Sequence, residues 1–374
     1  MVDDELVVKN DKLFCFILAG GEGSILKNLT KETCKPLIKV FSVYHLIDFS
    51  LINCLRSGIL DIAIIVQYES IDLIKYLFKS NMSSLMRNFY VLPPETKQSN
   101  KEDIVYKGTA HSVYVNRRFI EDSIEDILIL SADHVYSMDY NKFHKHHLEM
   151  ENDLTVSVLN VSIEEASRFG VFTLDEEDNI VNFEEKPENP ESTLVSMGVY
   201  IFKKDLLLEV LDKLYDIKGP SIDFGKDVLP HYLKHHKVGV YKFKWYWIDL
   251  GTVELFWKLN MVFLDYPEQI QHFFKFDDRF KISTDATNLY PAILGQNSEV
   301  KCSLMGKKSY LDGKLTHSVI GDNCKIEKNV TITKSVVMDS CHIKEGVTIE
   351  NAIISKGSVV EDDVIGSEDD IICI

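Results

Sequence analysis

The sequence predicts two domains: an α/β domain built on a mostly parallel sheet, followed by a parallel β-helix. Three observations carry this prediction. Short, β-rich apolar runs alternate with helix-patterned segments through the first 265 residues. The first run stops at a glycine-rich turn, Ala19-Gly20-Gly21-Glu22-Gly23-Ser24. From about Gly295 onward, apolar residues recur at every sixth position.

The strand-like runs are 13–18, 62–66, 127–130, 155–159 and 199–202, and segments 71–79 and 205–214 have helical spacing. Ligands of open α/β sheets bind at the carboxyl ends of the strands, which is where Gly20, Gly21 and Gly23 fall. Backbone N–H groups without side chains around them approach phosphate oxygens closely. The turn is neither a P-loop nor GxGxxG, and taken alone it also fits a tight strand-to-helix connection.

In the C-terminal part, Ile320, Ile326, Ile332 and Met338 form one ladder that continues through Ile343 and Ile349 after a one-residue slip. Val330 and Val336 form a second, and Val347, Ile353 and Val359 a third, with Gly321, Asn323, Gly346 and Gly357 between them. Three short strands per turn, each burying its apolar residue on the next rung, explain this period. The alternative is an irregular β-sandwich. The expected division is 1–265 for the α/β domain, 266–294 for a connector and 295–374 for the β-helix.

Composition excludes several classes. With 374 residues, 45% apolar and 26% charged, the chain is globular rather than disordered. No apolar run approaches the roughly 20 residues that span a bilayer, so no membrane association is expected. The acidic start around Asp3, Asp4 and Glu5 does not resemble a secretory leader, and a cytoplasmic protein is expected. The seven cysteines stand singly at 15, 34, 54, 302, 324, 341 and 373, without metal spacing, and read as reduced and mostly buried. A net charge of −17 argues against nucleic acid. An anionic substrate stays open, because a phosphate site needs only a few local donors and a metal.

Beyond the turn, the chain carries Cys34-Lys35-Pro36-Leu37, Leu46-Ile47-Asp48-Phe49-Ser50, Tyr106-Lys107-Gly108-Thr109-Ala110 and Ser131-Ala132-Asp133-His134-Val135-Tyr136. It then carries Phe183-Glu184-Glu185-Lys186-Pro187, Val195-Ser196-Met197-Gly198, Asp223-Phe224-Gly225-Lys226-Asp227 and Trp245-Tyr246-Trp247-Ile248-Asp249-Leu250-Gly251-Thr252. In this order the segments resemble the sugar-phosphate nucleotidyltransferases, and within them the glucose-1-phosphate adenylyltransferases, over nearly the whole chain. The resemblance implies a Rossmann-like domain of the GT-A type and a left-handed β-helix at the C-terminus. It implies that ATP and glucose 1-phosphate give ADP-glucose and pyrophosphate, as in glycogen or starch synthesis, in a homo- or hetero-tetramer with a related subunit.

Such chemistry needs in-line positioning and neutralised charge more than covalent help. By the resemblance, Asp133 and Asp249 are the ligands of a Mg²⁺ cofactor, and Lys35 is a catalytic phosphate-site lysine. Ala19, Gly20, Gly21, Gly23, Gly108 and Thr109 bind the nucleotide. Lys186 holds the sugar phosphate, Glu185 accepts from sugar hydroxyls, and Tyr106 and Ser196 complete the sugar-phosphate pocket.

The chain also departs from the pattern. Ile25 stands where the loop carries an arginine, Ile248 where Tyr-Trp-Arg-Asp has one, His111 where an aspartate follows Gly-Thr-Ala, and Ala132 where a glycine precedes the metal aspartate. The segment 42–46 is one residue short, Glu95 lies in the altered loop near the adenine, and Glu32-Thr33 replaces the Lys-Arg pair linked to effectors. Replacing a bidentate phosphate donor with an aliphatic side chain removes a charge-assisted bond. Three readings follow: an active but divergent enzyme, a catalytically weakened regulatory or assembly subunit, and a β-helix acyltransferase fused to a pyrophosphorylase-like domain. The last is disfavoured because His317 and His342 lie in ordinary rung contexts.

Overall fold

A computed structural model describes residues 9–21, 26, 29–30, 33–67, 70–94, 105–266 and 290–374. In chain order the first domain contains β1 (Leu13–Ala19), β2 (Lys39–Val40), β3 (Tyr44–His45), α1 (Leu46–Arg56), β4 (Asp61–Val66), α2 (Ser70–Lys79) and β5 (Asn88–Leu92). It continues with α3 (Thr109–Asn116), β6 (Asp126–Ser131), β7 (His134–Tyr136), α4 (Tyr140–Glu149), β8 (Leu154–Asn160), α5 (Ile163–Ala166), β9 (Gly170–Leu174) and β10 (Ile180–Glu185). The last elements are β11 (Leu194–Lys203), α6 (Lys204–Lys218), α7 (Leu229–His235), β12 (Val238–Lys242), β13 (Trp247–Asp249) and α8 (Val253–Asp265). Each expected strand and helix lies within one of these.

The main sheet runs β10-β9-β11-β6-β1-β4-β5, with β8 on β11 and β12 on β8. Strands β6, β1, β4 and β5 are parallel, as expected for β6, β1 and β4 from their near-continuous apolar runs buried on both faces, while the edge strand β5 is only partly buried. The other half corrects the expectation of a mostly parallel sheet. β11 pairs antiparallel with β6, β8 and β9, so the sheet is mixed. β11 carries ten residues, and its register shifts between Ser196 and Tyr200, around a left-handed Gly198. That kink is what lets one long strand serve neighbours in two directions.

Two cores flank the sheet. One packs α1, α2 and α4 on its underside through Leu51, Leu73 and Phe143. The other packs α3, α6 and α7 through Val113, Leu211 and Tyr232. Among the described residues no helix is long and apolar enough to cross a membrane.

The C-terminal part is a parallel β-helix of three five-stranded sheets. Its inward ladder is Ile320, Ile326, Ile332, Val337, Ile343, Ile349, Ile354 and Val360, each buried. The register stacks Ile326 on Ile343 and Val360, Ile332 on Ile349, and Ile320 on Val337 and Ile354. Between Ile320 and Val360 one side of each turn is a residue shorter than the other two. Four expected ladder positions are therefore corrected: Val336 and Ile353 precede the inward Val337 and Ile354, Met338 follows Val337, and Val359, just before the inward Val360, is exposed. Met338 and Ile353 are apolar for another reason. They pack with Val319 and Val336 on Ile38, Val40 and Phe256 of the first domain, so one face of the β-helix is glued to it. Most of the expected connector, 267–289, lies outside the described residues.

Candidate active site

At the carboxyl ends of β1, β4 and β6 the structure opens a cavity of about 390 Å³. Its walls include Ala19, Gly20, Gly21, Lys35, Tyr106, Gly108, Thr109 and Asp133, eight of the residues singled out in the sequence. Gly23 and Ile25 lie outside the described residues, as does Glu95. Gly108 is a glycine for a steric reason: a Cβ there would sit 2.0 Å from the carbonyl oxygen of Ile222. The following residue, Thr109, starts α3, donates its hydroxyl to Asp223 at 2.7 Å and accepts from the Phe224 amide. The 106–110 and 223–227 segments are thus stitched together beside the cavity.

Lys35 forms the centre of the site. Its Nζ lies 2.5 Å from Asp133 Oδ2 and 3.2 Å from Asp249 Oδ1. Asp133 also accepts from the Ser131 hydroxyl. Burial alone would raise the Asp133 carboxyl, but the Lys35 ammonium, helped by His134 and Ser131, holds it well below the usual carboxylate range. Burial would lower Lys35, and the two carboxylates more than offset this, leaving it raised.

A third group was not assigned from sequence. β7 pairs antiparallel with β13, and the register sets His134 opposite Asp249. His134 Nε2 then lies 3.6 Å from Asp133 Oδ1 and 3.9 Å from Asp249 Oδ1, while Nδ1 is buried with no hydrogen-bond partner among the described residues. The ring stands edge-on to Trp247 at 5.2 Å. Among the described residues, Asp133, His134 and Asp249 are the group of potential ligands close enough to share one cation. The position of Lys35 shows that positive charge is accommodated between the two carboxylates, so the donor set fits a divalent ion. The signal available in the sequence was the Asp-His pair itself. Its meaning depends on a strand register more than a hundred residues away in sequence. Gln67, directly after β4, also lines the cavity and was not singled out.

The four expected sugar-phosphate residues divide. Tyr106 lines the cavity, and its hydroxyl donates to the Pro93 carbonyl and accepts from Asn116. Glu185, Lys186 and Ser196 lie outside the walls of that cavity. Glu185 ends β10 against Gly225, where a Cβ would come 2.6 Å from Oε2. Burial, and after it the nearby Asp223, raises its carboxyl although Lys186 opposes this. Lys186 is exposed, with a left-handed backbone anchored by its amide to the Phe169 carbonyl at 3.0 Å. Ser196 is buried at the β11 kink, where its hydroxyl accepts from the Gly198 amide.

The model of the nucleotidyl transferase family matches residues 15–265, and that of the GlmU-like C-terminal hexapeptide matches 291–370. Glucose-1-phosphate adenylyltransferase of Bacillus cytotoxicus is 39% identical over 379 residues, covering 98% of this chain and 99% of that protein. The chain belongs to the glucose-1-phosphate adenylyltransferase family. The enzyme of that name from Bacillus subtilis is 40% identical over 323 residues, with 84% and 83% covered, and that of Fusobacterium nucleatum 37% over 334 residues, with 87% and 85% covered. Membership in the glucose-1-phosphate adenylyltransferase family accounts for the two-part architecture, and the hexapeptide match makes the β-helix the left-handed kind. Two of the departures within this family have visible consequences. Ile248 packs with the apolar cluster of α8, and His111 is buried, accepting from the Lys107 amide and stacking at 6.0 Å on Tyr215.

Proposed function

We propose that the chain is a magnesium-dependent glucose-1-phosphate adenylyltransferase. The observation that carries the reading is the convergence of Lys35, Asp133 and Asp249 beside the Gly20-Gly21 turn. Asp133 and Asp249, with His134 beside them, are the residues that would hold Mg²⁺, whose hard oxygen-loving chemistry neutralises triphosphate charge. The backbone at Ala19, Gly20 and Gly21 receives the nucleotide phosphates, and Gly108 and Thr109 close the opposite wall. Lys35, a compact mobile charge, moves from the two carboxylates towards the phosphates when these arrive. Lys186 pairs with the sugar phosphate and Glu185 accepts from sugar hydroxyls. A phosphate oxygen of glucose 1-phosphate then attacks the α-phosphorus of ATP, and the bond to the bridging oxygen breaks to release pyrophosphate.

A second reading, a regulatory or assembly subunit with weak activity of its own, is favoured by Ile248 and His111. Both are absorbed into packing, where the family pattern would place charge. In either case the active particle is a dimer or tetramer of this chain or of this chain with a relative. The deciding assay is pyrophosphate release from ATP and glucose 1-phosphate by the purified chain, alone and with a Bacillus homologue. Magnesium-dependent release by the chain alone, abolished by Asp133→Asn or Asp249→Asn at unchanged thermal midpoint, supports the first reading. Activity that survives both substitutions sinks the metal assignment.

A further inference from the structure

Four residues beyond Lys35 in the chain, Lys39 makes a second pair of ion pairs in another direction. Its Nζ lies 2.8 Å from Asp322 Oδ2 and 2.8 Å from Asp339 Oδ2, both on the β-helix. All three side chains are half-buried or better. The two aspartates are held in place by their other oxygens. Asp322 Oδ1 accepts from the Lys307 amide at 2.8 Å, and Asp339 Oδ1 accepts from the Asp322 amide at 2.7 Å. The β-helix therefore presents a preformed carboxylate pair to Lys39, as Asp133 and Asp249 present one to Lys35.

The segment between the two lysines has little freedom. Pro36 has a fixed φ and lies in a 3-10 turn closed by the Leu37 amide on Cys34 and the Ile38 amide on Lys35. The Leu37 carbonyl takes a 2.7 Å hydrogen bond with His45 Nδ1, and the Ile38 carbonyl accepts from the Leu46 amide. Ile38 and Val40 are fully buried and pack on Val319, Val336 and Met338 of the β-helix. A stiff strap thus has one end on the β-helix and the other at the centre of the candidate active site.

We propose that Asp322 and Asp339 are positioning residues for nucleotidyl transfer, holding Lys39 and through the 35–39 strap setting Lys35 between Asp133 and Asp249. The inference rests on the nucleotidyl-transfer reading of that cluster. On this view the β-helix acts on the chemistry at a distance, and the load passes through a contiguous set of hydrogen bonds and packed side chains. Because Lys35 and a divalent ion compete for the same carboxylates, loosening the strap has two effects of opposite sign. The cation is less well placed for the phosphates, and the carboxylates become more available to a metal.

The test uses the full chain with Asp322→Asn/Asp339→Asn together, and separately Lys39→Met, which keeps the experiment readable if the double variant folds poorly. Lys39→Arg serves as the conservative control. Steady-state pyrophosphate release gives kcat and KM, and titration with Mn²⁺ alone, followed by electron paramagnetic resonance, gives metal affinity without substrate. The expected result is a fall in kcat of about tenfold, since sub-ångström misplacement is felt in kcat, with KM within about twofold. Mn²⁺ affinity should rise about fivefold, and Lys39→Arg should recover most of the kcat. Unchanged kcat and Mn²⁺ affinity in Lys39→Met overturn the inference. So does a parallel fall of both with the thermal midpoint, which would make the contact only structural. If the wild-type chain releases no pyrophosphate, the nucleotidyl-transfer reading fails, and the Mn²⁺ titration still decides whether the strap sets Lys35.

Discussion

Substituting Lys35 with methionine isolates the group on which the site turns. The ammonium stands 2.5 Å and 3.2 Å from two carboxylates. At an effective dielectric near 20 these pairs are worth about 7 and about 5 kcal/mol before desolvation. Most of that is cancelled by the cost of holding three charges out of water, and losing one partner of a buried pair costs about 3–5 kcal/mol. The carboxylates here keep 22% and 25% of their side-chain surface, so some of this is relieved by water. We therefore expect a stability loss of roughly 2–3 kcal/mol at pH 7 in chelator, measured by urea denaturation. The sign with pH follows from Asp133. Its carboxyl is held below the usual range, so its contribution is complete above about pH 4 and is lost as pH falls through its folded value. The gap between wild type and variant should thus shrink in acid. Lys35 is raised, so its contribution holds below about pH 10 and fades only above that. Mn²⁺ should restore stability to the variant more than to the wild type, because the carboxylate pair loses its resident cation. Activity should fall by about 10²–10³, as when one preorganised charge donor is removed. A variant equally stable in chelator, indifferent to Mn²⁺ and active within a factor of two would refute the argument.

Two further outcomes are expected. Asp126 is buried, and although burial would raise it, a 2.7 Å hydrogen bond from His144 and the His147 ring 3.6 Å away pull its carboxyl down to about 2. That stability is present above about pH 4 and disappears as pH falls towards the folded value. Asp126→Asn should therefore cost roughly 2 kcal/mol at pH 6 and almost nothing near pH 2, by urea titration at both, and a pH-independent deficit would contradict it. Ile25→Arg restores the guanidinium that the family pattern places in the glycine-rich loop. It should raise kcat about tenfold or more in pyrophosphate release, the worth of one charge-assisted bond expressed in the transition state. A gain confined to ATP affinity would indicate uniform binding instead.

Much of this was legible in the sequence because it is local. The apolar run 13–18 ends at Gly20-Gly21, and a buried strand followed by glycines marks the sheet edge where ligands bind, although the turn alone also fits a tight connection. The six-residue recurrence likewise follows from one side of the β-helix per repeat. What was misread is what depends on two faces at once. Met338 and Ile353 carry the same apolar signal as inward residues, but their partners are Ile38, Val40 and Phe256 of the other domain. Periodicity records that a side chain is buried, not what it is buried against. The mixed sheet was missed for a similar reason, since β11 is as apolar as a parallel strand while pairing antiparallel on both sides.

The site itself shows the same division between residue type and register. Lys35, Asp133 and Asp249 were recognisable from their motifs, whereas His134 acquires its position from the β7–β13 pairing. Lys39 looks like an ordinary surface lysine until the β-helix brings Asp322 and Asp339 to it. These two lysines also bear on the departures from the family pattern. At 248 and 111, where the resemblance implies charged residues, Ile248 packs in an apolar cluster and His111 is buried and hydrogen-bonded. The cluster that would hold the metal is stiffly mounted, with Asp133 and Asp249 both on Lys35 and the 35–39 strap tied down at its other end. A chain acting only as a scaffold has no use for a lysine held between two carboxylates beside a glycine-lined cavity. That arrangement is the physical ground for placing the catalytic reading ahead of the purely regulatory one.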